Sequence, residues 1–361
     1  MAFKGIKKSA SAFILALASV IFIPFSAAFP AATPAVSPDG YIDSLSGAAY
    51  FKAKDSERWA VASKGTEVGP GDRVKTGSDG KLSIRFPDGS RLNVGNLSEL
   101  EITEYILKPK QRSAVYSLSA GKMRAIINKF SGTTDIKVKT PTSTSGVKGT
   151  DFIVMNQGPA NVLFGKEDTV SVSGESSGVE LKPGSMTENT RGGSPIEPVA
   201  VEPGSALEGV RADLEAITDV EKPVEWERAG RLPEILARWN INYGNYLADS
   251  KRFKDSLDVF QIALDLTDLP SIRAEAHLDR GTVLSRNLKE PAKALKEYME
   301  VVDKYPEPPF AENALFSAGL INMELGEKAP ALKLFRRYRA EYPEGIHRDT
   351  VELFIRVLES D

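Results

Sequence analysis

The sequence predicts a multidomain chain: an all-β, sandwich or barrel-like domain over residues 40–181, then an all-α helical-repeat domain over residues 205–361. Three observations predict it. The first stretch is a series of short apolar–polar alternations separated by turn residues, which is the two-residue period of half-buried strands. The second keeps the apolar spacing of amphipathic helices and repeats itself at intervals of 37 to 38 residues. Between them, residues 182–204 carry Pro183, Pro195, Pro198 and Pro203 among Gly, Ser and Glu, and read as an extended linker without a continuous regular element. A length of 361 residues suits two domains.

Residues 1–28 read as a secretory signal peptide. Lys4, Lys7 and Lys8 form a positive start, residues 10–23 are apolar, Pro24 ends the run, and Ser26, Ala27 and Ala28 offer small residues for cleavage. The apolar run is short for a membrane-spanning helix, so membrane attachment is expected only if the leader stays uncleaved. The rest of the chain is expected to be periplasmic or extracellular. Residues 29–39, rich in Pro and Ala, read as a linker.

Within the β-rich part, Leu82, Ile84 and Phe86 alternate with Ser83 and Arg85. Pro87-Asp88-Gly89 supplies a turn and Leu92 and Val94 resume the alternation, which predicts a hairpin. Further strands are expected at 100–102, 115–118, 123–127, 136–138, 152–155, 162–164 and 170–172, a spacing found in sandwiches and barrels. Asp before Gly is ordinary turn chemistry, so Asp88 reads as a turn residue before a catalytic acid. Glu99 and Glu101 share one strand face and read as solvated. Lys108, Lys110, Arg112, Lys122, Arg124 and Lys129 make the middle of the domain locally basic. Such a surface either meets anionic glycans, lipids or an acidic protein, or only keeps the chain soluble.

Composition narrows the function classes. The formal net charge is −3, with no global basic field, so nucleic acid is not expected as a partner. The chain has no Cys, which excludes disulfides, thiolate metal sites, a Cys nucleophile and a lipid-anchoring Cys. Its two histidines, His277 and His347, lie far apart and read as helix-surface or packing residues. No catalytic, metal or cofactor-binding residues are predicted.

One stretch organises the β-rich part: residues 138–152, VKTPTSTSGVKGTDF. Thr140-Pro141 ends a strand, Gly146 and Gly149 permit unusual backbone angles, and Phe152 and Val154 restart the alternation. It reads as a corner between strands. Its functional reading is a candidate binding loop, Lys148, Gly149, Thr150 and Asp151, that offers Lys148 and Asp151 to a partner. Ser145 and Lys148 formally match a Ser-x-x-Lys dyad, but that chemistry needs the Ser at a helix start, and strand residues surround it here. Upstream, residues 71–94 read GDRVKTGSDGKLSIRFPDGSRLNV. The two motifs, with residues 98–102 and Gly121-Lys122 in order between them, resemble the FecR domain family, the domain of an iron-dicitrate sensing regulator, over about residues 40–174. The resemblance implies a sensing or interaction domain of the cell envelope, with no catalytic residues attached.

In the helical part, Ser205 and Glu208 fit a capping box, and Leu207, Val210, Leu214 and Ile217 keep helical spacing. Pro233 suits a helix first turn, with Ile235, Leu236, Trp239, Tyr243 and Leu247 behind it. A small residue followed four positions later by an aromatic recurs as Ser256/Phe260, Ala294/Tyr298 and Ala331/Phe335, with Gly244, Gly281 and Gly319 in the preceding helices. The small residue lets paired helices approach, and the aromatic fills the space above it. Tyr305-Pro306 and Tyr342-Pro343 close the second and third copies, and Leu353, Ile355, Val357 and Leu358 mark a terminal helix. These features resemble tetratricopeptide (TPR) repeats, lengthened by insertions such as one near Glu290-Pro291. The resemblance implies a stack whose concave face takes peptide or protein segments.

The expected function is therefore a non-enzymatic interaction, scaffold or sensor protein exported to the bacterial envelope. Protein partners would bind the TPR-like stack, and a ligand or partner the FecR-like domain, with glycan or cell-wall contact as a second class. Two alternatives stand beside it. A FecR-type signal-relay regulator of an envelope or iron response is disfavoured because only about nine residues precede the apolar run. A cell-wall-acting hydrolase would use Asp88 or Asp151.

Overall fold

The computed structural model describes residues 39–307 and 309–360. The signal-peptide reading, and all of the 29–39 linker except Asp39, lie outside the described residues. The strands are β1 (Gly40–Ser46), β2 (Ala49–Lys52), β3 (Ala60–Val61), β4 (Glu67–Val68), β5 (Arg73–Thr76) and β6 (Lys81–Arg85). Then come β7 (Arg91–Val94), β8 (Glu99–Lys108), β9 (Gln111–Ile126), β10 (Thr133–Lys139), β11 (Thr144–Val147) and β12 (Asp151–Gln157). The series closes with β13 (Ala160–Glu167), β14 (Val170–Ser173), β15 (Gly178–Leu181), β16 (Ser185–Asn189) and β17 (Val199–Ala200).

They form two sheets packed face to face. The first runs β4-β1-β6-β7-β9-β12-β13-β16-β17, antiparallel throughout. The second runs β3-β2-β5-β8-β9-β10-β11-β14-β15, antiparallel except for the parallel pair β9–β10. Ile42, Leu82, Leu92, Leu118, Phe152 and Val172 belong to the core between them. The predicted hairpin is β6–β7, with Leu82 opposite Val94 and Ile84 opposite Leu92.

Strand β9 belongs to both sheets. Its first half pairs with β8 and β10, and from Gly121 onward it pairs with β7 and β12. The expectation of two strands, 115–118 and 123–127, is corrected to one bent strand. Gly121 sits at φ +94°, and a Cβ there would collide with Ser98 and the Leu97 carbonyl. The alternation breaks at the bend because the chain is turning from one sheet to the other.

A second correction concerns residues 182–204. Instead of an extended linker, this segment adds β16 and β17 to the first sheet. Its prolines flank these strands or lie in the loop between them, so no ladder donor is lost. The outward face of this sheet is not solvated at that end. Ile153, Met155, Val162, Phe164 and Met186 pack in one core with Leu207, Leu214, Leu236 and Ile241 of the helical part. With both faces covered, six consecutive residues of β12 and of β13 are buried, where a one-sided strand would alternate. The two parts are thus joined by a shared core.

The helices are α1 (Ala206–Ile217), α2 (Trp226–Gly230), α3 (Leu232–Asp249), α4 (Phe253–Leu266), α5 (Pro270–Thr282), α6 (Pro291–Lys304), α7 (Phe310–Glu324), α8 (Lys328–Glu341) and α9 (Arg348–Ser360). Ser205 caps α1: its Oγ accepts from the Glu208 N–H at 3.2 Å, while Glu208 accepts from Gly204 N–H at 2.8 Å. Three helix pairs follow, α3/α4, α5/α6 and α7/α8. In each, the glycine lies against the aromatic ring of its partner helix. A Cβ on Gly244 or Gly281 would stand 2.5 Å from a ring carbon of Phe260 or Tyr298, and Gly319 faces Phe335 in the same way. The glycine-to-small-residue spacing is 12, 13 and 12, so the second copy carries one extra residue. The chain absorbs it in a π-helical turn, Val283–Asn287, a few positions before the expected Glu290-Pro291. The back of the first sheet and α1 cover the first pair, and Val351 and Ile355 of α9 pack with Phe335 and Tyr338 at the other end.

Two outcomes are expected from this packing. Gly281→Ala should lose about 1–3 kcal/mol through overpacking against Tyr298, read as a lower urea midpoint. Gly230→Ala, where a Cβ meets nothing within 4 Å, should leave the midpoint in place. Excised residues 205–361 should melt well below the whole chain or aggregate, because the excision exposes Leu207, Leu214 and Leu236. A calorimetric scan of both samples checks this.

Candidate functional site

The candidate loop connects β11 to β12. Lys148 is exposed, whereas Gly149, Thr150 and Asp151 are buried. Gly149 adopts φ +141°, and a Cβ there would sit 3.0 Å from Lys129. Asp151 is 5% exposed and receives both Arg124 Nε at 2.8 Å and Arg124 Nη2 at 2.5 Å. The loop therefore shows Lys148 to solvent and turns Asp151 into an ion pair with the neighbouring strand. Ser145 is buried in β11 between Val138 and Val172, so Ser145 and Lys148 do not form a helix-start dyad.

The other motif acid has a similar fate. Asp88 Oδ1 accepts from the Ser90 N–H at 2.9 Å, the turn role read from sequence. Its Oδ2 also accepts from Arg112 Nη1 at 2.7 Å, with side chains 0% and 3% exposed for Arg112 and Asp88. Arg112 Nη2 donates to the Asn128 carbonyl at 2.8 Å, and the guanidinium lies over the Phe130 ring. Burial and the Asp88 charge push the nearby Tyr105 and Tyr116 hydroxyls up in pKa.

The basic run is consequently not one face. Arg112 and Arg124 are in ion pairs, and Lys122 is buried with its ammonium 3.4 Å from Asn96 Oδ1 and its pKa pushed down by burial. Lys129 is exposed and pairs with Asp168 at 3.1 Å. Parity along β9 was the available signal: Arg112 shares the inward face with Ala114, Tyr116 and Leu118. Glu99 and Glu101 sit half-exposed beside Arg73, at 3.6 and 2.7 Å.

In the helical part, the first helices of successive pairs lie side by side. Arg238 of α3 pairs with Glu275 of α5, and Asn245 donates to Asp279 at 3.0 Å. Burial pushes the Asp279 carboxyl up to about 6. Phe316, Leu320 and Met323 of α7 are only partly covered. His277 Nδ1 lies 2.7 Å from Glu297, and His347 stacks on Phe316 at 3.9 Å, so both histidines pack within the stack. Among the described residues no group of three or more His, Asp or Glu is placed to hold a metal ion.

Sheet and stack also meet through polar contacts that sequence reasoning missed. Glu188 of β16 accepts from Asn240 Nδ2 at 3.2 Å, and Thr190 binds Asp265 of α4. Lys81 Nζ donates to the carbonyls of Asp219 and Lys222, each at 2.6 Å, just beyond α1.

The described fold is a two-sheet domain with a helix-pair stack on its back. Residues 72–170 match the family described as FecR protein and residues 313–345 match the tetratricopeptide repeat, so the chain carries a FecR domain and a TPR repeat. Both families are typically non-enzymatic. Among solved structures, a protein named as an anti-sigma factor from Parabacteroides distasonis is similar at 13% identity and TM-score 0.32, covering 39% of this chain and 64% of its own. This chain thus spans under two thirds of that protein. The first TPR of Spaghetti, bound to an HSP90 peptide, is similar at 17% identity and TM-score 0.29, covering 35% of this chain and 91% of its own. The C-terminal TPR-containing domain of a Plasmodium falciparum protein named as FK506-binding has 20% identity and TM-score 0.29, covering 36% and 93%. No match was found among curated proteins.

Proposed function

We propose that this chain is an exported interaction protein of the bacterial envelope. Its TPR stack holds a protein partner, and its FecR domain acts as the stack's rigid base. The observation that carries the reading is the shared core: Ile153, Met155 and Phe164 of the sheet pack with Leu207, Leu236 and Ile241 of the helices, so a partner on the stack is fixed relative to the sheets. The partly covered Phe316, Leu320 and Met323 supply apolar contact area on the stack. The hydrolase alternative has less support, since Asp88 and Asp151 are each held by an arginine.

The test is photo-cross-linking in cells, with a cross-linkable residue placed at Leu320, at Met323 or at Lys148. Defined protein adducts from the two stack positions in the envelope fraction are the expected result. A complete lack of adducts there, with the protein folded and exported, would contradict the reading. Adducts from Lys148 alone would move the partner to the FecR domain.

A further inference from the structure

We propose that a cleft at the joint between sheet and stack is a binding site for a hydroxyl-rich ligand of the oligosaccharide class. The cleft encloses about 410 Å³, within the range of small-molecule sites, and such sites favour domain boundaries. One wall comes from the β14–β15 turn and the loop between β16 and β17, with Ser176, Ser194 and Glu197. The other comes from α3 and α4, with Tyr243, Lys254 and Asp258.

The polar groups there are mostly unspent. Arg252 and Asp255 neutralise each other at 2.7 Å. The Tyr243 hydroxyl, the Asp258 and Glu197 carboxylates and the Ser176 and Ser194 hydroxyls make no hydrogen bond to other described residues. Partial desolvation lifts the Tyr243 hydroxyl and the Asp258 carboxyl above their ordinary pKa values, although Asp258 keeps access to solvent. With Lys254 set against Asp258 and Glu197, the lining favours neither a strong anion nor a strong cation. Hydroxyls, which both donate and accept, match this set.

Tyr243 of α3 is the aromatic residue that lines this cleft, and its ring stacks between Trp239 and Tyr246 of the same helix, with centroids 4.8 and 6.1 Å away. The equivalent positions in the second copy are Ala276, Arg280 and Val283, and in the third Ala314, Ala318 and Ile321. Those face the preceding pair, as shown by Arg280 donating to the Leu257 carbonyl and Gln261 of α4. The first copy has sheet loops in that place, and Tyr246 stays 63% exposed beside Tyr243. The Tyr243 hydroxyl, beside the Ser176, Ser194, Asp258 and Glu197 groups, suits the hydroxyl edges of a sugar.

The proposal deepens the glycan side of the envelope reading and is tested on pure protein, so its failure is separate from failure of partner capture. Purified chain lacking the leader is titrated calorimetrically with maltotriose, cellotriose and the N-acetylglucosamine trimer. At least one should bind saturably, with Tyr243→Phe and Asp258→Asn each weakening it about tenfold or more at an unchanged melting temperature. Tyr50→Ala, on β2, should bind as the parent does. No binding by any of the three, or binding that both cleft variants leave intact, would overturn the assignment.

Discussion

Asp88→Asn is expected to destabilise the chain by about 3–5 kcal/mol, because it strands the Arg112 charge inside the sandwich. Arg112 is fully buried, and among the described residues its Nη1 finds its counter-charge on Asp88, at 2.7 Å. Arg112→Met should cost a similar amount by stranding Asp88. The double variant Asp88→Asn, Arg112→Met should recover part of the loss, since a neutral pair leaves no uncompensated charge. Urea denaturation of the four proteins measures the cycle. Single-variant losses below about 1 kcal/mol would mean that water reaches the pair and that it has the small worth of a surface bridge.

The second large effect is on pH. Glu188 is 0% exposed at the sheet–stack joint; its Oε2 accepts from Asn240, and its Oε1 has no hydrogen-bond partner among the described residues. Burial pushes its pKa from 4.5 up to about 8, against a smaller downward pull from the Asn240 hydrogen bond. The folded chain therefore keeps a proton that the unfolded chain has lost between those values. The stabilisation from that proton is full below about 4.5, falls as pH rises through the window and is gone above about 8. Its size is on the order of a few kcal/mol. Other charged groups on the packed elements are already engaged: Asp265 of α4 with Thr190, and Lys166 of β13 with Glu215 of α1. Glu188→Gln should therefore flatten the loss of stability between pH 5 and pH 9, and should exceed the parent at pH 9. Equal slopes for variant and parent, from urea midpoints across that range, would show that Glu188 ionises without cost.

The elements most legible in the sequence were those whose signal is local. The β6–β7 hairpin follows from alternation around Pro87-Asp88-Gly89, and the helix pairs follow from glycine, small residue and aromatic at fixed spacing. Less legible were features that depend on a distant partner. Glu188 lies in a Pro- and Gly-rich segment without periodicity, and the Asn240 that accompanies it is 52 residues away. The burial of Arg112 could be read from its parity in β9, but its charge pointed to the surface. Sequence read residues 138–152 as a single corner, whereas they contain the strand β11 paired with β10 and β14, and it could not tell that Asp151 faces Arg124 on β9, 27 residues earlier. The cleft was hidden for the same reason, since its two walls come from segments about 50 residues apart.

The claim on which the function rests is that sheet and stack form one body. Hydrogen exchange by mass spectrometry, across a urea series, tests it most directly. Peptides covering β12, β13 and β16 should lose protection at the same urea concentration as those covering α1 and α3. If α1 and α3 lose protection first while the sheet peptides stay protected, the shared core is too weak to couple the parts, and the stack would be a tethered module rather than part of a rigid interaction platform.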